Sequence, residues 1–95
     1  MTFEWDQAKD AANLKKHGIS FDEASRIFSG PVLSRIDDRQ DYGETREISL
    51  GELGGAVVIV VAHTDRNETI RIISARLASR AERKVYYEYR AKITE

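Results

Sequence analysis

The sequence predicts a small α+β domain, and three observations lead to this prediction. Two capping boxes, Ser20 to Glu23 and Ser79 to Glu82, mark the starts of helices. Residues 57–64 are apolar on both faces, as expected of a central strand. The chain has 95 residues, enough for one hydrophobic core and too few for two. We therefore expect residues 1–95 to form a single domain.

The N-terminal third is predicted to hold a short edge strand and two helices. Residues 3–5 alternate as in a strand, and Asp6 follows where it can cap the first helix. Gly18 supplies the left-handed residue that commonly ends a helix. The second helix starts at the first capping box and is expected to end at Ser29, because Pro31 cannot continue the hydrogen-bond ladder.

The rest of the chain is predicted to hold a meander of strands and a closing helix. The polar, acidic run 37–44 has no periodicity and is expected to be an exposed loop. The closing helix starts at the second capping box and runs to about Lys92. The expected plan is a small antiparallel sheet of about four strands with two N-terminal helices and one C-terminal helix. The meander strands are expected over residues 32–36, 46–50, 57–64 and 69–75.

The composition excludes several classes of protein. Hydrophobic residues make up 41% of the chain and charged residues 33%, which is typical of a globular domain with a charged surface and not of a disordered tail. The chain has no cysteine, so disulfide frameworks and thiolate metal sites are excluded and a cytoplasmic location is expected. The longest apolar stretch, residues 56–62, is too short to cross a bilayer, and no membrane partner is expected.

The charge is unevenly distributed along the chain. The formal net charge is −1, which argues against a uniformly basic nucleic-acid binder. Residues 71–92, however, carry a net charge of about +5. The sequence therefore predicts that an anionic partner approaches this C-terminal stretch.

His63 lies at the end of the predicted central strand. Because side chains alternate along a strand, it shares a face with Val57, Ile59 and Val61. A hydrogen-bonded structural role and a catalytic role are both open for a histidine in this position. Several arginines are expected to converge near it at one end of the sheet: Arg71, Arg76, Arg80 and Arg83.

A histidine surrounded by arginines suits a phosphate substrate. Cleavage of RNA by its own 2′-hydroxyl passes through a phosphorane whose extra charge must be met by fixed cations. A guanidinium stays protonated and binds two phosphate oxygens at once, so it can take this role without a divalent metal. The acidic residues and the two histidines show no metal-ligand spacing. We therefore predict no metal and no cofactor.

The closing helix offers a second set of candidate contacts. Arg80, Arg83 or Lys84, and Tyr87 are spaced to share one face, and the helix N-terminus at Arg80 also favours anions. A solvated charged face is the alternative. The tyrosines of this helix, Tyr87 among them, can stack on bases or dock the helix onto the sheet.

Two further pairs of residues are candidates for RNA contacts. Lys16 and His17 precede Gly18, where cations interact favourably with the helix C-terminus, and this structural account is sufficient by itself. Glu44 and Arg46 flank the junction between the loop and the next strand. They can supply a general base and a phosphate contact, or simply form a surface ion pair.

The order of several segments resembles the BrnT family of toxins. The segments are Phe3-Glu4-Trp5-Asp6, Lys16-His17-Gly18-Ile19-Ser20-Phe21, Gly43-Glu44-Thr45-Arg46, His63-Thr64, Ile70-Arg71-Ile72-Ile73-Ser74-Ala75-Arg76, Ser79-Arg80-Ala81-Glu82-Arg83 and Tyr86. The resemblance implies a RelE-like fold and a metal-independent endoribonuclease that stops growth. It also implies a BrnA-like antitoxin with a ribbon-helix-helix domain, through which the toxin-antitoxin complex binds its own operator DNA.

The resemblance also implies a set of site residues. It assigns His63, Arg71, Arg76 and Arg80 to the RNA site and attaches Lys16, His17, Glu44 and Arg46 to it. The chain departs from the family pattern at one position. Members often have a histidine in the acidic loop, whereas this chain has Gln40, which cannot shuttle a proton.

Three functions compete at this point. The first is a ribonuclease toxin in which arginines hold the scissile phosphate while His63 or Glu44 accepts the 2′-hydroxyl proton. The second is a non-catalytic module that binds a nucleic acid or a protein through the same basic helix. The third is a toxin-like protein without activity that persists as the partner of its antitoxin.

Overall fold

Five strands form one mixed sheet in the computed structural model, which describes residues 1–94. The strands are β1 (Thr2–Trp5), β2 (Leu33–Asp37), β3 (Arg46–Leu53), β4 (Val57–Arg66) and β5 (Thr69–Leu77), in the spatial order β1-β5-β4-β3-β2. β2 to β5 form the expected antiparallel meander. The prediction of an antiparallel sheet of about four strands is wrong in one respect. β1 adds a fifth strand, and it pairs parallel to β5, with Thr2 opposite Thr69.

Three α-helices complete the fold: α1 (Gln7–His17), α2 (Phe21–Ser25) and α3 (Arg80–Ile93). Their boundaries follow from local chemistry. The Asp6 carboxylate accepts the Lys9 N–H at 3.0 Å, and Gly18 ends α1 with φ of 73°. Both predicted capping boxes are present. The second helix is shorter than predicted, because Arg26–Ser29 continues it as a tighter 3-10 turn.

The two faces of the sheet carry separate hydrophobic cores. α1 and α2 cover one face, called here the α1 face, where Phe21 and Ile27 pack on Ile59, Val61 and other buried residues. α3 covers part of the opposite face, the α3 face. No helix among residues 1–94 is both long and apolar enough to span a membrane.

A bulge in β5 decides which of its side chains reach each face. Ala62 lies opposite Ser74 and His63 lies opposite Ile72, so Ile73 has no partner on β4. Ile70, Ile72 and Ala75 therefore join the core of the α1 face. Ser74 and Arg76 lie on the α3 face instead.

The edge of β5 beyond Ile72 is closed by a side chain rather than by a strand. β1 pairs with β5 only from Thr69 to Ile72. Past that point the Asn13 side chain of α1 donates to the Ala75 carbonyl at 2.9 Å and accepts the Ala75 N–H at 3.1 Å. These two bonds hold α1 against the edge of the sheet.

Candidate nucleic-acid site

An arginine-lined pocket lies on the part of the α3 face that α3 leaves open. Its volume is about 140 Å³. The floor is formed by small and apolar side chains of the central strands: Ile48, Val60, Ala62 and Ser74. Its walls carry the charged residues Arg35, Asp37, Arg39, Arg46 and Arg76. We call this group of residues the arginine pocket.

Strand register brings these residues together. Arg35, Ile48, Ala62 and Ser74 form one continuous rung across four strands. Side chains on one rung of a sheet point to the same face, so residues from distant parts of the chain line a single surface. Arg46 lies two rungs further toward the loop, opposite Asp37, and therefore points to the same face.

Two of the four arginines of the pocket are neutralised by carboxylates. The buried carboxylate of Asp37 accepts from Arg39 Nε at 2.7 Å and Nη2 at 2.9 Å, and from the Tyr42 hydroxyl at 3.1 Å. These donors hold the pKa of Asp37 well below its usual range, so it stays ionised. Arg76 makes a comparable pair with Glu82 of α3, at 2.8 and 2.9 Å.

The other two arginines have no carboxylate partner within the described residues. Neither Arg35 nor Arg46 takes part in an ion pair there. The Arg46 guanidinium lies 3.7 Å above the Tyr42 ring, and its buried Nε–H has no hydrogen-bond partner. A buried donor without an acceptor is costly. The pocket therefore offers positive charge and unused donors to an anion.

Glu44 lies two residues before Arg46 and does not itself line the arginine pocket. It is paired with Arg66, which lowers the pKa of Glu44, and the charges of Arg46 and Arg71 lower it further. Arg71 lies opposite Thr64 and forms an ion pair with Glu4 at 3.5 Å. Glu44 is consequently ionised, and the nearby arginines that keep it so also make it a weak proton acceptor.

His63 does not belong to this pocket, so the expected convergence of the arginines around it is wrong. As predicted from alternation, it lies on the same face as Ile59 and Val61, but that is the buried α1 face. Its side chain is 2% exposed and packs edge-on against the Phe28 ring, with centroids 5.0 Å apart. The sheet itself separates its imidazole from Arg76.

Hydrogen bonds occupy both nitrogens of His63. Nε2 lies 2.7 Å from the Ser49 hydroxyl, which is 2.6 Å from the Ser34 hydroxyl. Nδ1 lies 2.6 Å from a carboxylate oxygen of Asp65. Glu47 lies directly opposite His63 on β3. The cluster of Glu47, His63 and Asp65 is the one group in the described chain with donor atoms close enough to hold a metal ion.

The candidates on α3 lie apart from the arginine pocket. Arg80 is exposed at the first helical position and does not line the pocket. Arg83 donates to the Ala78 carbonyl at 3.1 Å and lines a groove on the other side of α3 together with Tyr87. Lys84 is exposed. Glu82 of the same helix reaches the pocket through its ion pair with Arg76.

Lys16 and His17 lie in a second cationic cleft. With Lys9 of the same helix they line a cavity of about 240 Å³ between α1 and the edge of β5. Ser74 lines both this cleft and the arginine pocket. The two basic surfaces are therefore neighbours across β5, and we call the second one the α1 cleft.

Sequence reasoning missed several residues of the arginine pocket. Arg35 lies within a predicted strand, between Ser34 and Ile36, and was not identified as a site residue. Asp37, Arg39 and Tyr42 fall in the run that was predicted to be an exposed loop. No hydrophobic periodicity indicates their positions, because these residues are held in place by contacts among their own side chains.

Comparison with known proteins gives a consistent result. The family model of the ribonuclease toxin BrnT of type II toxin-antitoxin systems matches residues 5–82. The crystal structure of the ribonuclease toxin BrnT from Brucella abortus matches with a TM-score of 0.63 and 26% sequence identity, covering 84% of this chain and 99% of that one. No curated protein sequence matches the chain.

Proposed function

The chain belongs to the BrnT family of ribonuclease toxins of type II toxin-antitoxin systems, and we propose that it cleaves RNA through the 2′-hydroxyl without a metal ion. The arginine pocket is the observation that carries this proposal. Its four guanidinium groups line a cavity on the part of the sheet face that α3 leaves open. An RNA phosphate bound there would first meet Arg35 and Arg46, which have no ion-pair partner among residues 1–94.

The arginine pocket supplies what the transition state of this reaction requires. Attack by the 2′-oxygen puts an additional negative charge on the phosphorus centre, and fixed donors that meet this charge lower the barrier. Arg39 and Arg76 are held in place by Asp37 and Glu82. Such preorganised groups lose little rotational freedom when the phosphate binds. A divalent ion is not needed for charge neutralisation under this proposal.

Proton transfer from the 2′-hydroxyl is assigned to Glu44 rather than to His63. Glu44 is ionised and lies two residues from Arg46 of the pocket, whereas His63 is buried on the opposite face. A carboxylate with a lowered pKa is a weak base. We therefore attribute most of the rate to the cations, with Arg71 as a further positive charge near Glu44.

The α1 cleft extends the proposed RNA site beyond the scissile phosphate. Lys16 and His17 would contact the RNA nucleotides next to the scissile phosphate. Ser74 lies on the path between the two sites. Backbone phosphates give such contacts most of their affinity. On α3, we assign Arg80, Arg83, Lys84 and Tyr87 to the outer part of the RNA surface.

A protein antitoxin is the expected partner, because the family belongs to type II systems. We propose that this antitoxin is BrnA-like, carries a ribbon-helix-helix domain, and brings the complex to operator DNA. We also propose a RelE-like classification of the fold and a cytoplasmic location, where RNA is available. Co-purification with the product of the neighbouring gene tests the partner directly.

Incubation of the purified chain with single-stranded RNA in EDTA tests the main proposal. We expect fragments that end in a 2′,3′-cyclic phosphate, because the 2′-oxygen displaces the 5′-oxygen. The Arg46→Ala variant should lose this activity. Arg26→Ala is the matched control, since Arg26 is exposed, pairs with Asp22 one turn earlier and does not line the arginine pocket. Cleavage that requires a divalent ion would overturn the proposal.

One observation favours a second function, that of a non-catalytic RNA-binding module. The arginine pocket contains no histidine, because His63 is on the other face and the acidic loop carries Gln40. The same experiment separates the two functions. Saturable RNA binding that depends on Arg46, with no product even at high protein concentration, would support the module.

A further inference from the structure

The cluster on the α1 face has a composition that neither RNA binding nor cleavage explains. We propose that Glu47, His63 and Asp65 form a site for one divalent ion of the zinc class, which stabilises the sheet and takes no part in cleavage. The site lies across the sheet from the arginine pocket. It goes beyond the proposed function and does not depend on it.

The geometry of the donor atoms fits such an ion. One donor atom from each of the three residues lies within 4.8 Å of the other two. Donors bound at about 2.0–2.2 Å to a common ion must lie within about 4 Å of one another, so only small side-chain rotations are needed. His63 Nδ1 and the Asp65 carboxylate already meet at 2.6 Å. An ion would replace the hydrogen bond between them.

The backbone holds two of the three ligands in fixed positions. Glu47 and His63 are direct partners in the ladder between β3 and β4. The His63 ring is fixed by Phe28 and by the Ser49 hydroxyl at Nε2. A metal-binding histidine typically donates its other N–H to an oxygen acceptor, and Ser49 supplies this oxygen. Ser49 can in turn donate to Ser34.

The electrostatics of the cluster favour a cation. The carboxylates of Glu47 and Asp65 lie close together here and repel each other when both are ionised. A bound ion would offset this repulsion. The Asp65 side chain is 47% exposed, which gives the ion a route from solvent and leaves coordination positions for water. One nitrogen and two carboxylate oxygens suit zinc better than magnesium, which prefers oxygen ligands only.

Calorimetric titration of the tag-free chain with zinc chloride tests this inference. We expect one ion per chain, a higher Tm with zinc, and no effect of magnesium. Glu47→Gln and Asp65→Asn should each weaken zinc binding at least about tenfold. Both side chains are more exposed than His63, so these variants are expected to fold, which circular dichroism checks.

His17→Gln is the matched control, because His17 and His63 are the two histidines of the chain. It should bind zinc like the wild type. The inference is overturned if zinc does not saturate one site, if the two carboxylate variants bind it unchanged, or if His17→Gln abolishes binding. In the first two cases the cluster is a hydrogen-bonded network only. Because every readout is binding or Tm, the outcome is independent of RNA cleavage.

Discussion

Arg76 and Glu82 form a two-pronged ion pair that ties the end of β5 to the first turn of α3. The two terminal guanidinium nitrogens of Arg76 lie within 2.9 Å of the carboxylate oxygens of Glu82. The same carboxylate completes the capping box by accepting the Ser79 N–H at 2.8 Å. One glutamate thus fixes the start of a helix and orients an arginine of the proposed RNA site. Stability and RNA binding are coupled at this residue.

The stability of the fold should fall as the pH drops below about 4.5. Arg76 is the main cause that lowers the pKa of Glu82 from 4.5 to about 2, with burial opposing it. Because the folded-state pKa is the lower one, the unfolded chain binds more protons between these values, and the free energy of unfolding decreases as the pH falls. The contribution of Glu82 is at most about 3 kcal/mol, and less after solvent screening.

Urea unfolding between pH 2 and pH 7 measures this effect. In the Glu82→Gln variant the free energy of unfolding should depend less on pH below about 4.5. The capping box should be kept, because glutamine also supports it. Glu88→Gln on the exposed side of the same helix is the control and should leave the wild-type slope. If the Glu82→Gln variant lost stability at low pH as steeply as the wild type, Glu82 would not be a cause of this loss. Asp37, Glu44 and Glu23, whose pKa values are also lowered by their partners, contribute to the dependence that remains.

The boundaries of the elements could be predicted from the sequence wherever they depend on local chemistry. The two capping boxes and the left-handed Gly18 gave the helix starts and the first helix end correctly. The parallel pairing of β1 with β5 could not be predicted in this way. It joins residues almost 70 positions apart, Thr2 with Thr69, and alternation within a strand carries no information about the direction of its partner.

The layout of the site could not be predicted because of a single unpaired residue. Strict alternation along β5 puts Arg76 on the same face as Ile72 and thus beside His63. The bulge at Ile73 reverses this and turns Arg76 to the face that α3 leaves open. A one-residue shift exchanges the two faces of a strand. The residue types for phosphate chemistry were recognised, but their faces were not.

Removal of the Arg46 guanidinium should reduce RNA cleavage strongly without unfolding the chain. Loss of one fixed donor to a developing oxyanion typically lowers kcat by about 10²–10³. Arg46→Lys keeps the charge but cannot keep both the stacking on Tyr42 and the forked donor geometry, so we expect an intermediate rate. Steady-state cleavage of a fluorogenic RNA oligonucleotide measures both variants. Equal rates for Arg46→Ala and wild type would remove Arg46 from the mechanism.

Substitution of His63 should affect stability and leave cleavage by the folded chain unchanged. His63→Gln removes a partner of the fully buried Ser49 hydroxyl and of Asp65. A buried polar group without a partner costs about 1–3 kcal/mol. Urea unfolding in EDTA should show a loss of this size. Cleavage by the wild type and by the His63→Gln variant should be compared at a temperature where both are folded. A large decrease in kcat of the variant at that temperature would show that His63 takes part in catalysis.

The α1 cleft should contribute to RNA binding only when the substrate is long enough to reach it. The cleft meets the arginine pocket at Ser74, so a dinucleotide bound at the pocket would not contact Lys16. The Lys9→Ala, Lys16→Ala double variant is therefore expected to raise the KM for a 12-nucleotide RNA several-fold and to leave dinucleotide cleavage unchanged. The difference in KM between the double variant and the wild type should become smaller as the salt concentration increases, because salt screens phosphate contacts. Lys15→Ala is the control on the same helix, because Lys15 is exposed and does not line the α1 cleft. If the double variant slows both substrates equally, the RNA does not follow this path across β5.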